Sequence, residues 1–344
     1  LRCLPAFVRA VTDERERAML VSEGDRAALV GAQAVMNALA ARHGDADAAW
    51  AHDLMLAGVG REGPIYGGAL TSFLGVLWGF VAYDPAVAAL LPAPRPARHL
   101  RWYEESGFVH YRNDPEGVVL ALRCGPWLGY RAYRMAQGPC DRMECLPAAG
   151  HFVLFLEGKP LLCSPETGYS LRSALRTCML VDDRGQIGDV GYPMSLPSQP
   201  HRGDEIETVR WDEEAGAGLI RLNLQRAYPA EAGVTHYTRE FLVAPARRIV
   251  CRDSVVLARP CRLSWLFQFR ADQGAVLEPG GRARIGRGPV LLVEPRPAEL
   301  ALDAEIRPTR VVRSYATSGA AFQHVRYAAQ AACAAATVEF EMRW

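Results

Sequence analysis

Residues 138–186 read GPCDRMECLPAAGHFVLFLEGKPLLCSPETGYSLRSALRTCMLVDDRGQ, and this segment decides the fold class. It contains three short apolar runs, at 151–157, 160–163 and 178–182, which are bounded by Gly, Pro or Asp. Runs of this length that are rich in Val, Leu and Phe are typical of β-strands. Gly158-Lys159 separates the first two runs and predicts a tight hairpin turn. The segment therefore predicts three strands, the first two of which form a hairpin.

The chain from about residue 99 onward continues this pattern of short strands between Gly, Pro and Asp residues. Ile220, Leu222 and Leu224 alternate with Arg221 and Asn223, which is the pattern of a sheet with one solvent-exposed face. About a dozen antiparallel strands over this length predict two packed sheets rather than a small barrel. Besides the three runs above, the clearest strands are predicted at 118–124, 206–211, 218–224, 237–243, 248–251, 263–269, 290–293, 322–327 and 337–344.

The N-terminal part of the chain has helical rather than strand periodicity. Leu29, Ala32, Met36 and Leu39 recur at the spacing of one face of a helix. The sequence His-Gly-Asp at 43–45 is typical of a helix end. The pattern therefore predicts a helix that ends at this glycine.

Two more helices are predicted, at 46–56 and 67–81, the second of them broadly apolar. The proline-rich segment 92–96 cannot continue a helix and predicts a linker. We therefore expect two domains, a helical one at 1–98 and a β-rich one at 99–344.

Composition and charge exclude several classes of protein. The chain has 39 basic and 38 acidic residues, for a formal net charge of +1, so no overall field attracts nucleic acid or an anionic membrane. The nine cysteines show no spacing typical of a zinc site, and most lie in apolar runs, where a free cysteine behaves as a small core residue. No stretch is long and apolar enough to span a bilayer, and no signal peptide is recognised. We expect no nucleic-acid partner and no membrane span, and the sequence does not indicate an oligomeric state.

The segment 138–186 resembles the C-terminal half of the heparinase II/III-like polysaccharide lyases. Two upstream segments, 106–108 (Ser-Gly-Phe) and 124–127 (Cys-Gly-Pro-Trp), resemble the approach to this region in the same family. The positions that match the family pattern are Pro147, Gly150, Phe152, Gly158, Pro160, Leu161, Leu162, Tyr169, Leu180, Val181, Asp182, Gly185 and Gln186.

This resemblance implies an α+β architecture, in which an (α/α) toroid is followed by a large antiparallel β-sandwich. Residues 1–98 would then be the last helices of an incomplete toroid. The resemblance also implies β-elimination on uronic-acid polysaccharides, an acidic polysaccharide as the partner, and a periplasmic or secreted location. Such a reaction needs a group that neutralises the uronate carboxylate, a base for the adjacent proton and an acid for the leaving oxygen.

The polar residues of the family pattern are the ones that differ in this chain. The two histidines of the His-x-His motif correspond to Glu144 and Leu146, and the following aspartate to Ala148. A later aspartate corresponds to Ser164, and a His-Asn pair to Arg176-Thr177. In metal-bearing members of the family, the positions of Leu146, Ser164 and Arg176 hold a structural zinc. Because leucine cannot bind a cation and arginine would repel one, we expect no metal and no other cofactor.

Three residues near this site are candidates for catalysis, and two of them allow a second interpretation. Glu144 would act as a base if burial raised its pKa, or it is a solvated loop carboxylate. His151 would act as a base or a glycan ligand, or it is a structural histidine that precedes a strand. Tyr192 borders a loop rich in Gly, Pro and Ser, which would lie beside a cleft. The family's toroid Asn, His and Tyr are expected upstream of this chain, and packing is the preferred role for Tyr66 and Tyr83.

The substrate-binding candidates are aromatic, basic and histidine side chains. The aromatic residues of PWLGYRAYR (126–134) would stack on sugar rings and its arginines would reach acidic groups, with packing at a strand edge as the alternative. Arg176 would pair with a substrate carboxylate, or with Glu144 in the former metal pocket. The candidates are Trp127, Tyr130, Arg131, Arg134, Arg176 and His201.

Two classes of function follow. One is a polysaccharide lyase whose acid and base lie upstream of Leu1. The other is a non-catalytic acidic-glycan-binding or structural protein, for example in exopolysaccharide handling by a bacterium. Because the polar positions of the motif are replaced, we expect catalysis by this chain to be impaired or absent.

Overall fold

The computed structural model describes residues 9, 12–13, 18–19, 27–28, 33–58, 87, 90–91, 94–125, 130, 148–165, 172–189, 204–297, 300–309 and 321–344. The chain divides into two compact units, one formed by Leu1–Val21 and Arg26–Pro96 and the other by Ser22–Asp25 and Ala97–Trp344. The boundary expected after residue 98 lies two residues beyond this division. None of the described helices has the length and apolar composition that crossing a bilayer requires.

The N-terminal unit contains two described α-helices, α1 (Gln33–His43) and α2 (Ala46–Gly58). Gly44 follows α1 with a φ of 62°, the left-handed conformation that favours glycine at a helix C-terminus. Asp45 then caps α2, because its carboxylate accepts the N–H of Ala48 at 3.0 Å. The predicted helix end at 43–45 and the second predicted helix are therefore both present.

The prediction that residues 1–98 are helical is wrong near the N-terminus. Three two-residue strands, β1 (Thr12–Asp13), β2 (Ala18–Met19) and β3 (Ala27–Ala28), form an antiparallel sheet. Helix α1 therefore begins at Gln33 rather than near Leu29. Helix propensity over one short segment is weak, and strand pairing overrides it here. The helix predicted at 67–81 lies outside the described residues.

The described strands of the C-terminal unit form three antiparallel sheets. One has five strands in chain order: β4 (Arg98–Tyr103), β5 (Phe108–Asn113), β6 (Val118–Arg123), β7 (Phe152–Leu156) and β8 (Lys159–Leu162). One has four strands, ordered in space as β18 (Leu302–Thr309), β19 (Phe322–Ala329), β14 (Leu263–Arg270) and β9 (Met179–Val181). The third has eight, ordered in space as β10 (Glu205–Asp212), β11 (Ala217–Asn223), β12 (Val234–Ala244), β13 (Arg248–Cys261), β20 (Cys333–Arg343), β17 (Leu291–Pro297), β16 (Ala283–Ile285) and β15 (Ala275–Leu277).

These sheets form a sandwich with a single continuous core. The five-stranded sheet packs on the eight-stranded one through Phe152 and Phe241, whose ring centroids are 5.0 Å apart. The four-stranded sheet packs on it through Phe267 and Phe340, 4.9 Å apart. The two smaller sheets adjoin each other where the Cys163 N–H, just after β8, donates to a β14 carbonyl at 3.0 Å. The predicted fold class, partial toroid helices followed by a large antiparallel β-sandwich, is confirmed, with one of the two layers made of two sheets.

The three apolar runs of the segment 138–186 are strands β7, β8 and β9, as predicted. The hairpin turn is shifted by one residue from its predicted position. Glu157 and Gly158 are the central residues of the turn, with φ of 52° and 75°, and Lys159 already pairs with Leu156. Two positive φ values in succession define a type I′ turn, whose twist matches that of the flanking strands.

Strands β4 and β5 were not predicted, because their sequences contain charged and polar residues. Every residue of β5 is buried, including His110, Arg112 and Asn113. Arg112 is held by a hydrogen bond from its Nε to Asp114 at 2.5 Å. Local pairing of this kind lets a strand carry polar residues into the interior without the alternation that marks a half-exposed strand.

Candidate functional site

Three loops of the sandwich meet beside strands β7, β8 and β9. They are the segment 148–151 before β7, the segment 163–165 after β8, and the segment 172–178 before β9. Hydrogen bonds join the first loop to the second at Ser164 and to the third at Thr177, and Arg176 joins the third to the second. The positions that differ from the lyase pattern at Ser164 and Arg176 therefore lie in one site, together with His151.

His151 lies at the centre of this site and is 3% exposed. Its Nδ1 accepts the backbone N–H of Thr177 at 3.0 Å, and its Nε2 is 2.6 Å from Ser164 Oγ. Because a backbone N–H can only donate, the neutral ring carries its proton on Nε2 and donates it to the serine. This tautomer cannot take a proton from Ser164, so the pair does not constitute an activated serine nucleophile.

Arg176 is 4% exposed, and its Nη1 donates to the carbonyl of Pro165 at 3.4 Å. Its own carbonyl accepts a hydrogen bond of 3.5 Å from the amide of Gln268 on β14. Strand β14 belongs to the four-stranded sheet, so this contact fixes the loop from outside the hairpin. The guanidinium of Arg176 is directed into protein rather than toward solvent.

A buried ion pair supports the loops from the eight-stranded sheet. Arg239 on β12 and Asp253 on β13 are directly opposite each other and form two hydrogen bonds, of 2.8 and 2.7 Å. The third nitrogen of Arg239, Nη1, donates to the carbonyls of Gly150 at 2.8 Å and Thr177 at 3.0 Å. Arg239 therefore joins the loop that carries His151 to the loop 172–178.

Asp253 is fully buried and accepts two further hydrogen bonds, from Tyr237 at 3.0 Å and from Trp265 at 2.8 Å. Burial lowers the pKa of Arg239, but the carboxylate of Asp253 more than offsets this and raises that pKa well above its usual range. Burial raises the pKa of Tyr237 well above its ordinary value. Arg239 therefore stays charged, and Tyr237 stays protonated as a donor.

Gln186 and Gly150, both matches to the lyase pattern, have clear local roles. The Gln186 side chain accepts the N–H of Ala149 and donates to its carbonyl, both at 2.8 Å. Gly150 has a φ of 74°, and a Cβ there would lie 2.6 Å from Leu224 Cδ1. A residue with a side chain would therefore be strained at this position and would also clash.

A chain of hydrogen bonds reaches the same loops from the outer strands. The Nε2 of Gln268 donates to the carbonyl of Ala174 at 2.8 Å, and its Oε1 accepts the hydroxyl of Thr309 at 2.9 Å. The Thr309 oxygen is 2.9 Å from His324 Nδ1. Because the threonine proton goes to the glutamine, His324 donates from Nδ1 and is neutral. Burial, followed by the charges of Arg307 and Arg326, lowers the pKa of His324 to about 4.

Among the other predicted site residues, only Tyr130 is described. Its ring packs on Gly125, where a Cβ would lie 2.8 Å from the tyrosine oxygen. Burial, followed by the nearby charges of Cys124 and Asp204, raises its pKa. Tyr130 is half-buried and has a helical rather than a strand backbone conformation, and its role in substrate binding stays a prediction. The residues that lie outside the described part of the chain are Trp127, Arg131, Arg134, Glu144, Tyr192 and His201.

The described residues do not form a binding site for the zinc ion that the resemblance to the lyases implies. The hydroxyl of Ser164 is engaged by His151, and the cationic Arg176 is buried where a third ligand would be needed. Within the part of the chain that the structure describes, no three His, Cys, Asp or Glu side chains come together in a way that would hold a metal ion. Leu146, the remaining position, lies outside the described residues.

Comparison with known proteins finds solved structures that have a similar fold. No family model matches the sequence, and no curated protein matches it. A heparinase III structure with methylated lysines is similar in fold, with a TM-score of 0.62, 10% identity, and coverage of 98% of this chain and 44% of that one. Heparan sulfate lyase HepC from Pedobacter heparinus gives a TM-score of 0.58 with 10% identity, over 98% of this chain and 46% of that one. A Paenibacillus xanthan lyase gives 0.51 with 10% identity, over 90% and 31%.

The chain has the heparinase-type polysaccharide lyase fold, consisting of toroid helices followed by the β-sandwich. It spans less than half the length of these similar structures. The resemblance found in the segment 138–186 is thus confirmed at the level of the fold. The sequence reasoning missed Arg239 and Asp253, although both stand at inward-facing positions of alternating strands.

Proposed function

We propose that this chain binds acidic polysaccharide on a lyase fold but does not itself carry out β-elimination. The observation that carries the proposal is the environment of His151, a buried histidine with both ring nitrogens hydrogen-bonded. A catalytic base must lie within hydrogen-bond reach of the proton that it removes. The Nδ1 lone pair of His151 is taken by Thr177, so the ring offers the substrate no proton acceptor. Loss of one positioned base or acid costs about two to four orders of magnitude in rate.

The expectation of an acidic ligand is supported by composition and by the similar structures. Of the 39 basic residues all but Lys159 are arginine, and guanidinium groups form paired hydrogen bonds with carboxylate and sulfate groups. Two of the similar structures are named as lyases of heparan sulfate and xanthan, which are both acidic polysaccharides. Arg131 and Arg134 remain the predicted contacts, whereas Arg176 is buried.

The second candidate function is a lyase whose acid and base are supplied by toroid helices outside this chain. The observation that favours it is coverage, because the chain spans less than half of each similar structure. An Asn-His pair and a Tyr on helices preceding Leu1 would support this candidate. In a protein that includes those helices, the loops 148–151, 163–165 and 172–178 would line the active site. Arg239 would position the first and the third of these loops.

A binding experiment tests the proposal. Heparan sulfate, chondroitin sulfate and alginate are titrated into the chain at low and at high salt, with neutral dextran as the control. We expect binding to the acidic chains that weakens as salt rises, because exposed charges are screened within about 8–10 Å at ordinary ionic strength. Substitution of Arg131 and Arg134 by Gln is expected to reduce this binding. No binding, or equal binding to dextran, would refute the proposal.

A further inference from the structure

The outer face of the eight-stranded sheet carries a ladder of alternating charges. Side chains of a strand alternate between its two faces, so the neighbours of Arg239 and Asp253 in sequence point away from the core. Residues directly opposite one another on five adjacent strands alternate between arginine and glutamate, in the order Arg221, Glu240, Arg252, Glu339 and Arg296. This face is thus charged, and it lies on the side of the sheet opposite the loops around His151.

At one end of the ladder, three arginines surround a single carboxylate, and we call this group the Glu341 cluster. Arg248 Nε is 3.0 Å from Glu341 Oε1, and Arg296 Nη1 is 2.7 Å from Oε2. Arg343 donates a short hydrogen bond from Nε to Oε1. Both carboxylate oxygens are therefore occupied by arginine.

The negative charge of the cluster is buried, whereas its positive charges are partly exposed to solvent. Glu341 is 1% exposed, whereas the side chains of Arg248, Arg296 and Arg343 are 45%, 42% and 50% exposed. Two further carboxylates lie near these arginines: Glu294, which is 3.9 Å from Arg296, and Glu339, which is opposite Arg296 but pairs with Arg252. Each guanidinium has five N–H donors, so Glu341 fixes one edge of each while the rest remain directed outward. The surface therefore presents three oriented cations over a buried anion.

Stability alone does not explain this arrangement. Arg248 and Arg343 are directly opposite each other on β13 and β20, and like charges at such positions are destabilising. Exposed ion pairs add only about 0–1 kcal/mol each. Three arginines share Glu341, Glu294 lies 3.9 Å from one of them, and Glu339 is paired with Arg252, so the three arginines of the cluster outnumber the two carboxylates that pair with them. An anion bound between the arginines would relieve their repulsion.

We propose that the Glu341 cluster binds a sulfate group of an acidic polysaccharide chain. Three converging guanidiniums match the three outward oxygens of a tetrahedral oxyanion better than the two of a carboxylate. Along the rest of the ladder, Arg221 and Arg252 are paired with Glu240 and Glu339, so the proposed contact is confined to the cluster. The site extends the proposed function, since it adds a sulfate-selective contact for the same class of polymer on the face away from the loops.

The test compares Arg343→Gln with the matched control Arg221→Gln. Arg221 lies on the same face and is similarly exposed, but it shares Glu240 with only one other arginine. We expect Arg343→Gln to raise the Kd for heparan sulfate about tenfold, which corresponds to about 1.4 kcal/mol, and Arg221→Gln to change it by much less. Inorganic sulfate should compete with heparan sulfate for the wild type and not for Arg343→Gln. Alginate, which has no sulfate, should bind both proteins equally.

Three results would overturn the site. They are an unchanged Kd in Arg343→Gln, an equal effect of Arg221→Gln, or duplex DNA binding as tightly as heparan sulfate, which would indicate a general polyanion surface. If Arg343→Gln does not fold, Arg296→Gln replaces it, because Glu341 then keeps Arg248 and Arg343. If the wild type binds heparan sulfate and the variants bind it with the same Kd, the sulfate site at the Glu341 cluster is refuted and the proposed function is not. A lack of any glycan binding by the wild type refutes the proposed function instead.

Discussion

At the scale of single residues, the site is defined by which hydrogen-bonding groups are already engaged. The Thr177 N–H requires an unprotonated Nδ1 on His151, and Ser164 receives the proton on Nε2. An aspartate in place of Ser164 would instead accept that proton as a carboxylate and leave a negative charge beside the ring. With Ser164, the ring donates instead to a neutral hydroxyl.

The first prediction at this scale concerns metal. Protein purified without a chelator is expected to contain no stoichiometric zinc, since Leu146, Ser164 and Arg176 cannot supply a ligand set. Treatment with EDTA is expected to leave the thermal midpoint unchanged. Elemental analysis and thermal denaturation measure the two quantities. A zinc ion in stoichiometric amount that EDTA removes with loss of stability would contradict the alignment of these positions.

The second prediction concerns the buried pair under the loops. Asp253→Asn leaves the cationic Arg239 buried without its partner, and such a loss typically costs about 3–5 kcal/mol. Arg221→Gln, which breaks an exposed pair on the other face of the same sheet, is expected to cost less than about 1 kcal/mol. Urea denaturation compares the two variants. A cost for Asp253→Asn no larger than that for Arg221→Gln would show that Arg239 does not need this carboxylate.

At the scale of elements, the sequence predicts those features that depend on local pattern. Alternation and breakers located β7, β8, β9 and β11, and the Gly44 signal located the end of α1. Strand β5 could not be predicted, because it is buried on both faces and therefore lacks the alternation of apolar and polar residues that marks a half-exposed strand. The ion pair of Arg239 and Asp253 could be predicted only in part. Alternation along each strand indicates that both residues face the core, but it does not indicate that β12 and β13 are neighbours in the sheet.

The third prediction concerns the hydrogen-bond chain that joins β19, β18 and β14 to the loop 172–178. His324 has a pKa of about 4 in the folded protein and about 6.5 when unfolded, so the unfolded chain binds the extra proton between these values. Stability is therefore full above pH 6.5 and falls as the pH drops toward 4, by about 2–3 kcal/mol from this group. His324→Asn keeps a donor to Thr309 but cannot titrate.

Urea denaturation of the wild type and His324→Asn at a series of pH values isolates this contribution. The wild type is expected to lose more stability than the variant between pH 7 and pH 4, while the two curves run parallel above pH 7. The other ionisable groups of the chain are the same in both proteins, so the difference between the two curves reports on position 324. Parallel curves over the whole range would mean that His324 is not buried as a neutral ring.

At the scale of the whole molecule, the two faces of the eight-stranded sheet have different roles. The inner face carries the buried pair that holds the loops around His151, and the outer face carries the Glu341 cluster and the ladder of arginines. The fold is that of polysaccharide lyases, and the chain spans less than half of those similar structures. The β-sandwich thus has the fold of those lyases, and Ser164 and Arg176 stand at two of the positions where the sequence departs from the family pattern.

The central claim is that this chain binds acidic polysaccharide without cleaving it, and turnover tests it most directly. The chain is incubated with heparan sulfate, chondroitin sulfate and alginate, and the ultraviolet absorbance of unsaturated uronate ends is followed, with an active lyase in parallel. The predicted result is glycan binding with no growth of absorbance. Sustained growth that is abolished by Glu144→Ala or by His151→Ala would contradict the account and identify those two residues as the catalytic pair.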